Sequence, residues 1–446
     1  CNRGGMASPL RWLLLLLPVT VTGRPRGTEA HLREILERGV QAEVFPGAVA
    51  AAGGLDGADV ELAVGHFTYS RESPTMSPST VFDMASLTKV IATTSAVAVL
   101  YERGVLALGT RVVDVLGAEF ASADASKADI TVDHCLTHTA GYQPDPQPWY
   151  WEEAFGCPSW HRSSGDPPAE GFECLPRIYS SFLAEELVTT PGSQFAYSDL
   201  SFITLQFIVG RLAWERGLVT SEDLLPRCHG AEAMPLPSCW SCAFEAFVRL
   251  HVLSSVMPDS QFLLDSSRWP DAAPTLNDTV YTLRQPLQGQ VSDGDAFAMG
   301  GVAGHAGLFS RLHDVERFAQ AALQTLSGST TATDSFPVNS TTLRLFTSVR
   351  DPAFSSRALG WDTNLRGVPD SGFDGVCGRE GGFSSSTFLH IGYTGTCLCI
   401  DPERLQWSAI LTNRVFGCQG QLCPADSEDA VKQVYRDFNT ALHSSL

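Results

Sequence analysis

The chain has 446 residues, of which 44% are hydrophobic, and carries a formal net charge of −19 from 30 basic and 49 acidic residues. That length and apolar content support a large core, in one domain or two intermeshed ones. The acidic excess argues against nucleic acid or an anionic membrane surface as a partner.

Residues 1–23 have the layout of a secretory signal peptide. Arg11 supplies a positive start, Trp12–Val21 an apolar stretch, and small residues reach a cleavage point near Gly23. An uncleaved anchor formed by residues 12–21 is the lesser alternative, because the run is short for a bilayer. Export fits the twelve cysteines, eleven of which follow this segment. Cys157 and Cys174 bracket a loop, Cys228, Cys239 and Cys242 cluster, and five more fall within 377–423. Spacing does not set the connectivity. Cys239-Trp-Ser-Cys242 suggests a local disulfide, and Cys135 a buried thiol.

Thr28–Gln41 reads as an amphipathic helix capped by Thr28, with Leu32, Ile35, Leu36 and Val40 on one face. Phe45–Gly53 and Val60–Phe67 alternate as paired strands about a Gly/Asp turn. An apolar helix then begins near Ser86 and runs through residue 101. Ile130–His138 is a short helix stopped by Gly141. Residues 142–175 lack periodicity and read as a long wall or lid. Helices follow at Leu183–Val188, Asp199–Trp214 and Phe244–Met257, with a cysteine-bearing insertion at 218–242. Residues 258–292 look irregular, and Gly300–Ser310 is too glycine-dense for regular structure. A helix at Asp314–Leu326 precedes strands at Leu359–Asp362, Thr387–Leu389 running into Gly392–Ile400, and Trp407–Thr412. Asp401-Pro402 turns the last two into a hairpin. Asp426–Leu442 is the closing helix. Asn277-Asp-Thr and Asn339-Ser-Thr are glycosylation sequons. This order implies one sheet completed by both ends of the chain, about 28–80 and 345–442, with a mainly helical region at 81–344 inserted.

Three constellations carry chemistry. Ser86-Leu-Thr-Lys89 places a hydroxyl and an amine on one side of a helical turn, at a positive dipole end that suits a developing anion. Alone, the pattern more often describes a capping serine and a solvated lysine. The chain has only three lysines, Lys89, Lys127 and Lys432, and Lys89 sits at the mouth of its most apolar helix. Tyr197-Ser-Asp199 stands at a loop-to-helix junction, where each residue alone is a core ring or a cap. His390-Ile-Gly392-Tyr393 opens an apolar strand, where glycine lets a substrate lie alongside and histidine offers a donor.

In this order, the three motifs resemble those of the serine β-lactamases and penicillin-binding proteins, most of all the class C-like branch of esterases, D-aminopeptidases and carboxypeptidases. Ile130–Gly141, Gly300–Ser310, Leu359-Gly-Trp-Asp362 and Thr394-Gly-Thr…Ile400-Asp-Pro402 also look like family segments, so the similarity runs from about residue 28 to 442. The resemblance implies an α/β (α+β) fold with an antiparallel sheet flanked by helices, an inserted helical domain and a site between them. It implies Ser86 as acylated nucleophile, Lys89 and Tyr197 as proton acceptors, and the Ser86 and Tyr393 N–H groups as oxyanion donors. Asp199 would hold Lys89, Gly392 would support the site, and His390 would replace the family's lysine as partner of Tyr197 or of a substrate carboxylate. His138 and His305 read as structural.

Ile391, where threonine is usual, leans toward esters over substrates bearing a free carboxylate. Val291–Ala296 only loosely follows the corresponding run of bacterial relatives, whereas the bacterial relatives that carry the Gly300–Ser310 run pull toward cell-wall peptides. The expected function is a secreted serine hydrolase acting through an acyl-enzyme on esters or short D-residue peptides, with no metal or cofactor. A catalytically silent relative that binds such ligands, or a structural protein that keeps the fold, is the alternative. Intact Ser86, Lys89 and Tyr197 favour the hydrolase.

Overall fold

The structure is a computed structural model that describes residues 26–157, 170–228, 234–277, 286–329, 336–369, 373, 375–378, 382–417 and 426–443. The expected signal segment 1–23, the alternative anchor at 12–21, Cys418 and Cys423 lie outside the described residues.

Helix α1 (Arg26–Gln41) leads into strands β1 (Gly47–Gly54) and β2 (Gly57–Gly65), then a short β3 (Val81–Asp83). A π-helical stretch, Lys89–Thr94, continues as α2 (Ser95–Glu102). Next come α3 (Val112–Leu116), α4 (Val132–Leu136), α5 (Glu170–Ala184), α6 (Asp199–Glu215), α7 (Leu236–Val248) and α8 (Ser254–Val256). Strand β4 (Gln261–Phe262), α9 (Gly294–Ala298) and β5 (Leu308–Arg311) precede α10 (Leu312–Ser327) and α11 (Ser340–Thr347). The chain returns through β6 (Asp362–Thr363), β7 (Phe388–Gly392), β8 (Thr396–Asp401) and β9 (Gln406–Thr412) to α12 (Ser427–Ala441).

One antiparallel sheet runs β2-β1-β9-β8-β7-β6, so strands from both parts of the chain meet where β1 pairs with β9, from Ala48↔Thr412 to Gly53↔Trp407. Period-two alternation sorts the side chains of β1 between two cores. Ala48, Ala50 and Ala52 pack with Leu32, Leu36 and Phe438 of α1 and α12. Val49 and Ala51 face the larger core beneath α2, α6, α7 and α10. A strand covered on both faces reads as an uninterrupted apolar run, as β1 does. A second sheet, β3-β5-β4, sits at the edge of the helical region and carries the chain into Ser86.

Several local expectations change. Thr28 lies inside α1, two residues past its start, and does not cap it. Part of 142–175 is helical: α5 begins at Glu170, and it ends at Ala184 rather than continuing to Val188. Pro176 inside α5 is the breaker signal that hides it. The 218–242 insertion yields to α7 from Leu236, with proline in its first turn. Leu308–Arg311 forms β5 despite the glycines before it.

The strand expected through Gly392–Ile400 is two strands, β7 and β8, joined by a tight turn in which Gly395 N–H donates to the Gly392 carbonyl at 2.9 Å. His390 therefore lies in the middle of β7, opposite Leu398, rather than at a strand start. Disulfides join Cys157–Cys174, Cys228–Cys242 and Cys377–Cys399. Cys242 thus pairs with Cys228 rather than Cys239. Cys135 and Cys397 are buried thiols.

Candidate active site

Strand β3 delivers the chain to Ser86 through a sharp turn. Ala85 adopts φ 45°, the left-handed region that a β-carbon disfavours. Asp83 holds it there: one carboxylate oxygen accepts the Ala85 N–H at 2.9 Å, and the other accepts Ser292 N–H and Oγ. Burial raises the Asp83 pKa, against the lowering pull of those bonds.

The β7–β8 hairpin clamps the same turn. Thr394 Oγ1 donates to the Asp83 carbonyl at 2.7 Å, and Thr396 Oγ1 to the Met84 carbonyl at 3.1 Å. A β-carbon on Gly392 would lie 2.2 Å from Thr396 Oγ1 and 2.6 Å from the Met84 carbonyl. Gly392 therefore lets the serine turn press against the hairpin. Ser86 is partly exposed, and among the described residues its N–H donates to no acceptor. Tyr393 follows, 42% exposed as a residue, with its carbonyl held by Arg414 Nε at 3.0 Å.

One turn beyond Ser86, the Lys89 ammonium is fully buried. It donates to Ser86 Oγ at 2.9 Å and to the His305 carbonyl at 3.0 Å, and lies 2.7 Å from Asp199 Oδ1. Burial alone pushes Lys89 down, but Asp199 and then Tyr197 outweigh it and hold the amine charged, above its ordinary range. The glycine-dense run supplies that carbonyl by close approach. A β-carbon on Gly304 would meet the Phe202 carbonyl of α6 at 2.3 Å.

Tyr197 and Asp199 arrive on a loop pinned to 138–144. Ala196 N–H donates to the His138 carbonyl, Asp199 N–H to the Pro144 carbonyl, and Ser198 Oγ to the Gln143 carbonyl. Ser198 holds the N-cap position of α6 without a side-chain cap bond, leaving Asp199 in the first turn with its carboxylate on Lys89. The Tyr197 ring centroid lies 5.1 Å from Lys89 Nζ.

His138 stacks on Tyr197 at 4.4 Å, and His390 lies 6.2 Å from it. Burial, then Arg357 and Lys89, push both imidazoles well below their ordinary range, so both are neutral. Their bonds assign the tautomers. His138 Nδ1 accepts the Ser198 N–H at 3.0 Å, so Nε2 carries the proton. His390 Nδ1 faces the Ile391 carbonyl at 2.7 Å and must donate, so Nε2 presents a lone pair.

A group of acids lines the other side. His305 Nε2 lies 3.0 Å from Asp293 Oδ1. Burial lowers this imidazole, but Asp293 and Asp199 raise it past its usual value. Burial, then Asp199 and Asp293, push Asp145 up to about 6. Asp199, Asp293 and His305 place ligand atoms within 4.8 Å of one another, close enough to hold a cation. The Lys89 ammonium already meets Asp199 there, and Asp293 takes His305 Nε2.

The structure thus gathers Ser86, Lys89, Tyr197, Asp199, His390, Gly392 and Tyr393 around one turn. His138 and His305, expected as structural, touch the same site. Arg357, Asp293 and Asp145 escaped the sequence reading. Arg357 stands two residues before Leu359-Gly-Trp, and Asp293 lies in the divergent Val291–Ala296 run, so both segments carried a signal.

Comparisons with known proteins agree with this architecture. The chain is 28% identical over 347 residues to a putative D-alanyl-D-alanine carboxypeptidase of Escherichia coli K12, covering 75% of this chain and 69% of that protein. It is 27% identical over 395 residues to an N-acetylmuramyl-L-alanine amidase of Bacillus subtilis 168, covering 85% and 80%. A penicillin-binding protein homologue from Caulobacter crescentus superposes with a TM-score of 0.60 at 18% identity, over 93% of this chain and 98% of that one. The Beta-lactamase family model matches residues 32–420. With that match spanning most of its length, the chain belongs to the Beta-lactamase family.

Proposed function

We propose that this chain is a serine hydrolase that forms an acyl-enzyme at Ser86 and acts on esters or short peptides containing D-residues. The observation that carries the proposal is the 2.9 Å contact between Ser86 Oγ and a buried Lys89 ammonium locked by Asp199. Ser86 attacks the scissile carbonyl, and the N–H groups of Ser86 and Tyr393 receive the oxyanion. The Lys89 ammonium orients and stabilises Ser86 Oγ at rest, and Lys89 and Tyr197 are the two candidate acceptors of the serine proton. The lone pair of His390 Nε2 suits a hydroxyl donor such as the Tyr197 phenol. Relatives named for D-alanyl-D-alanine carboxypeptidase and N-acetylmuramyl-L-alanine amidase support acyl transfer on peptide or peptidoglycan-like substrates.

Export is part of the proposal. Three disulfides suit an oxidising compartment, and residues 1–23 would direct the chain there. Among the described residues, no helix is long and apolar enough to cross a membrane.

The test is turnover of a panel of simple esters and N-acylated D-peptides by the wild type and by Ser86→Ala. Hydrolysis that vanishes in the variant supports the proposal. A folded wild type that binds panel members without turning any over is instead the silent binder.

A further inference from the structure

Ala85, the residue before the nucleophile, holds a backbone conformation that alanine disfavours. Its φ of 45° lies in the left-handed region, where a β-carbon crowds the following carbonyl. Glu43 and Leu405 share that region, but in turns outside the core. Ala85 is instead buried, 6% exposed, in the turn that presents Ser86.

The group that holds it there is costly too. Asp83 is 2% exposed, and among the described residues its carboxylate bonds to Ala85 N–H, Ser292 N–H and Ser292 Oγ. Burial raises its pKa, those bonds lower it, and the neighbouring Asp293 raises it again. All three donors are neutral, so these bonds give the buried acid no ionic partner. A glycine at position 85 would reach the same φ without strain and without a brace. The chain combines a strained alanine with a buried acid instead, and both stand beside Ser86. Strain that the surroundings over-determine is characteristic of functional sites.

We infer that Asp83 is a positioning residue: acting through the backbone of Ala85, it fixes the direction of the Ser86 N–H and Oγ. This rests on the hydrolase reading for what Ser86 then does. The chain before Ala85 is already pinned. Met84 N–H donates to the Leu308 carbonyl at 2.9 Å, and the β7–β8 hairpin holds the carbonyls of Asp83 and Met84. Beyond it, the N–H groups of Leu87, Thr88 and Lys89 donate to the carbonyls of Met84, Ala85 and Ser86, each at 3.0 Å. The joint between these fixed parts is Ala85. Were Asp83 to let go, Ala85 would relax toward negative φ and turn the peptide that carries the Ser86 N–H. Ser292 anchors the brace from the other side. Asp293, one residue on, holds His305, whose carbonyl takes Lys89. Asp83 thus ties the serine turn to the segment that cradles its lysine.

A double-mutant cycle on Asp83→Asn and Ala85→Gly tests the inference. It is read by the rate of fluorophosphonate labelling at Ser86 and by hydrogen exchange of the 86–89 amides. Asparagine keeps the size of the side chain but offers one acceptor oxygen to donors on two sides. With alanine at 85, Asp83→Asn should slow labelling about tenfold or more, the scale of a left-handed alanine's conformational cost. It should also speed exchange over 86–89. With glycine at 85, the same substitution should change neither readout, because glycine needs no brace. An acid that merely stabilised the fold would act equally in both backgrounds. No loss with alanine, or the same loss with alanine and glycine, overturns the inference. If Asp83→Asn does not fold with alanine at 85, the glycine background decides: a double variant that labels like Ala85→Gly keeps the inference, and one that does not fold overturns it. A wild type that never labels sinks the hydrolase reading, and exchange then decides the brace by itself. Protection lost in Asp83→Asn only when alanine stands at 85 keeps it, and any other pattern overturns it.

Discussion

The Lys89 ammonium, closed off from solvent, lies 2.7 Å from Oδ1 of an Asp199 that is itself 19% exposed. The pair spans two elements, with Lys89 on the turn after Ser86 and Asp199 at the head of α6. Breaking one side of a buried pair leaves the other charge uncompensated, at about 3–5 kcal/mol. Asp199→Asn should therefore lower stability markedly. It should also lower the Lys89 pKa, because burial then acts with less opposition. The alkaline limb of Ser86 phosphonylation should move to lower pH in this variant. An unchanged pH profile would show that Asp199 does not set the charge of Lys89.

Gly392 is a second point of control. Gly392→Ala puts a β-carbon within 2.6 Å of both Thr396 Oγ1 and the Met84 carbonyl. Overpacking of this kind costs about 1–3 kcal/mol. Because the hairpin clamps the serine turn, the variant should lose phosphonate reactivity by more than its change in melting temperature accounts for. Full reactivity would show that the clamp is not needed to present Ser86.

Lys127 gives a contrast remote from the chemistry. Its ammonium donates to the carbonyls of Phe182, Leu183 and Glu185 at 2.9–3.2 Å, closing the C-terminal end of α5. Lys127→Met should destabilise by roughly 1–3 kcal/mol through the orphaned carbonyls. Ser86 labelling below the transition should be untouched. Thermal melts and labelling rates on the same sample check both statements.

Asp145 supplies a pH signature. Its carboxyl is pushed up to about 6 by burial, then by Asp199 and Asp293, from an ordinary 3.8. Between these values the folded chain binds more protons than the unfolded one, so stability falls as pH rises through that window. Asp145→Asn should flatten this part of the curve, matching wild type near the lower value and exceeding it at neutral pH. Melting temperatures that run parallel across the window would contradict the assignment.

What the sequence made legible was mainly local. Ser86 and Lys89 are three apart on one helical turn, and Asp199 follows Tyr197 at a helix entrance, so spacing alone sets their directions. The order of elements likewise forecast a sheet built from both parts of the chain, and β1 pairs with β9 as that order implies. The turn at Tyr393–Gly395 stayed hidden because β7 and β8 are both fully buried and read as one apolar run. Proline masked α5. The packing of Arg357 depends on Phe195, Tyr197 and Phe373, whose convergence no local pattern encodes. The left-handed Ala85 is likewise imposed by Asp83 and the β7–β8 hairpin, against the preference of alanine itself.

Whether Ser86 is a nucleophile is decided by intact-protein mass measurement after treatment with a fluorophosphonate. A single adduct is expected, mapped to Ser86 by peptide analysis, absent in Ser86→Ala and strongly slowed in Tyr197→Phe, which keeps the ring but removes the phenol. A folded wild-type protein that gains no mass, or that gains it at another residue while Ser86→Ala labels equally well, would contradict that role.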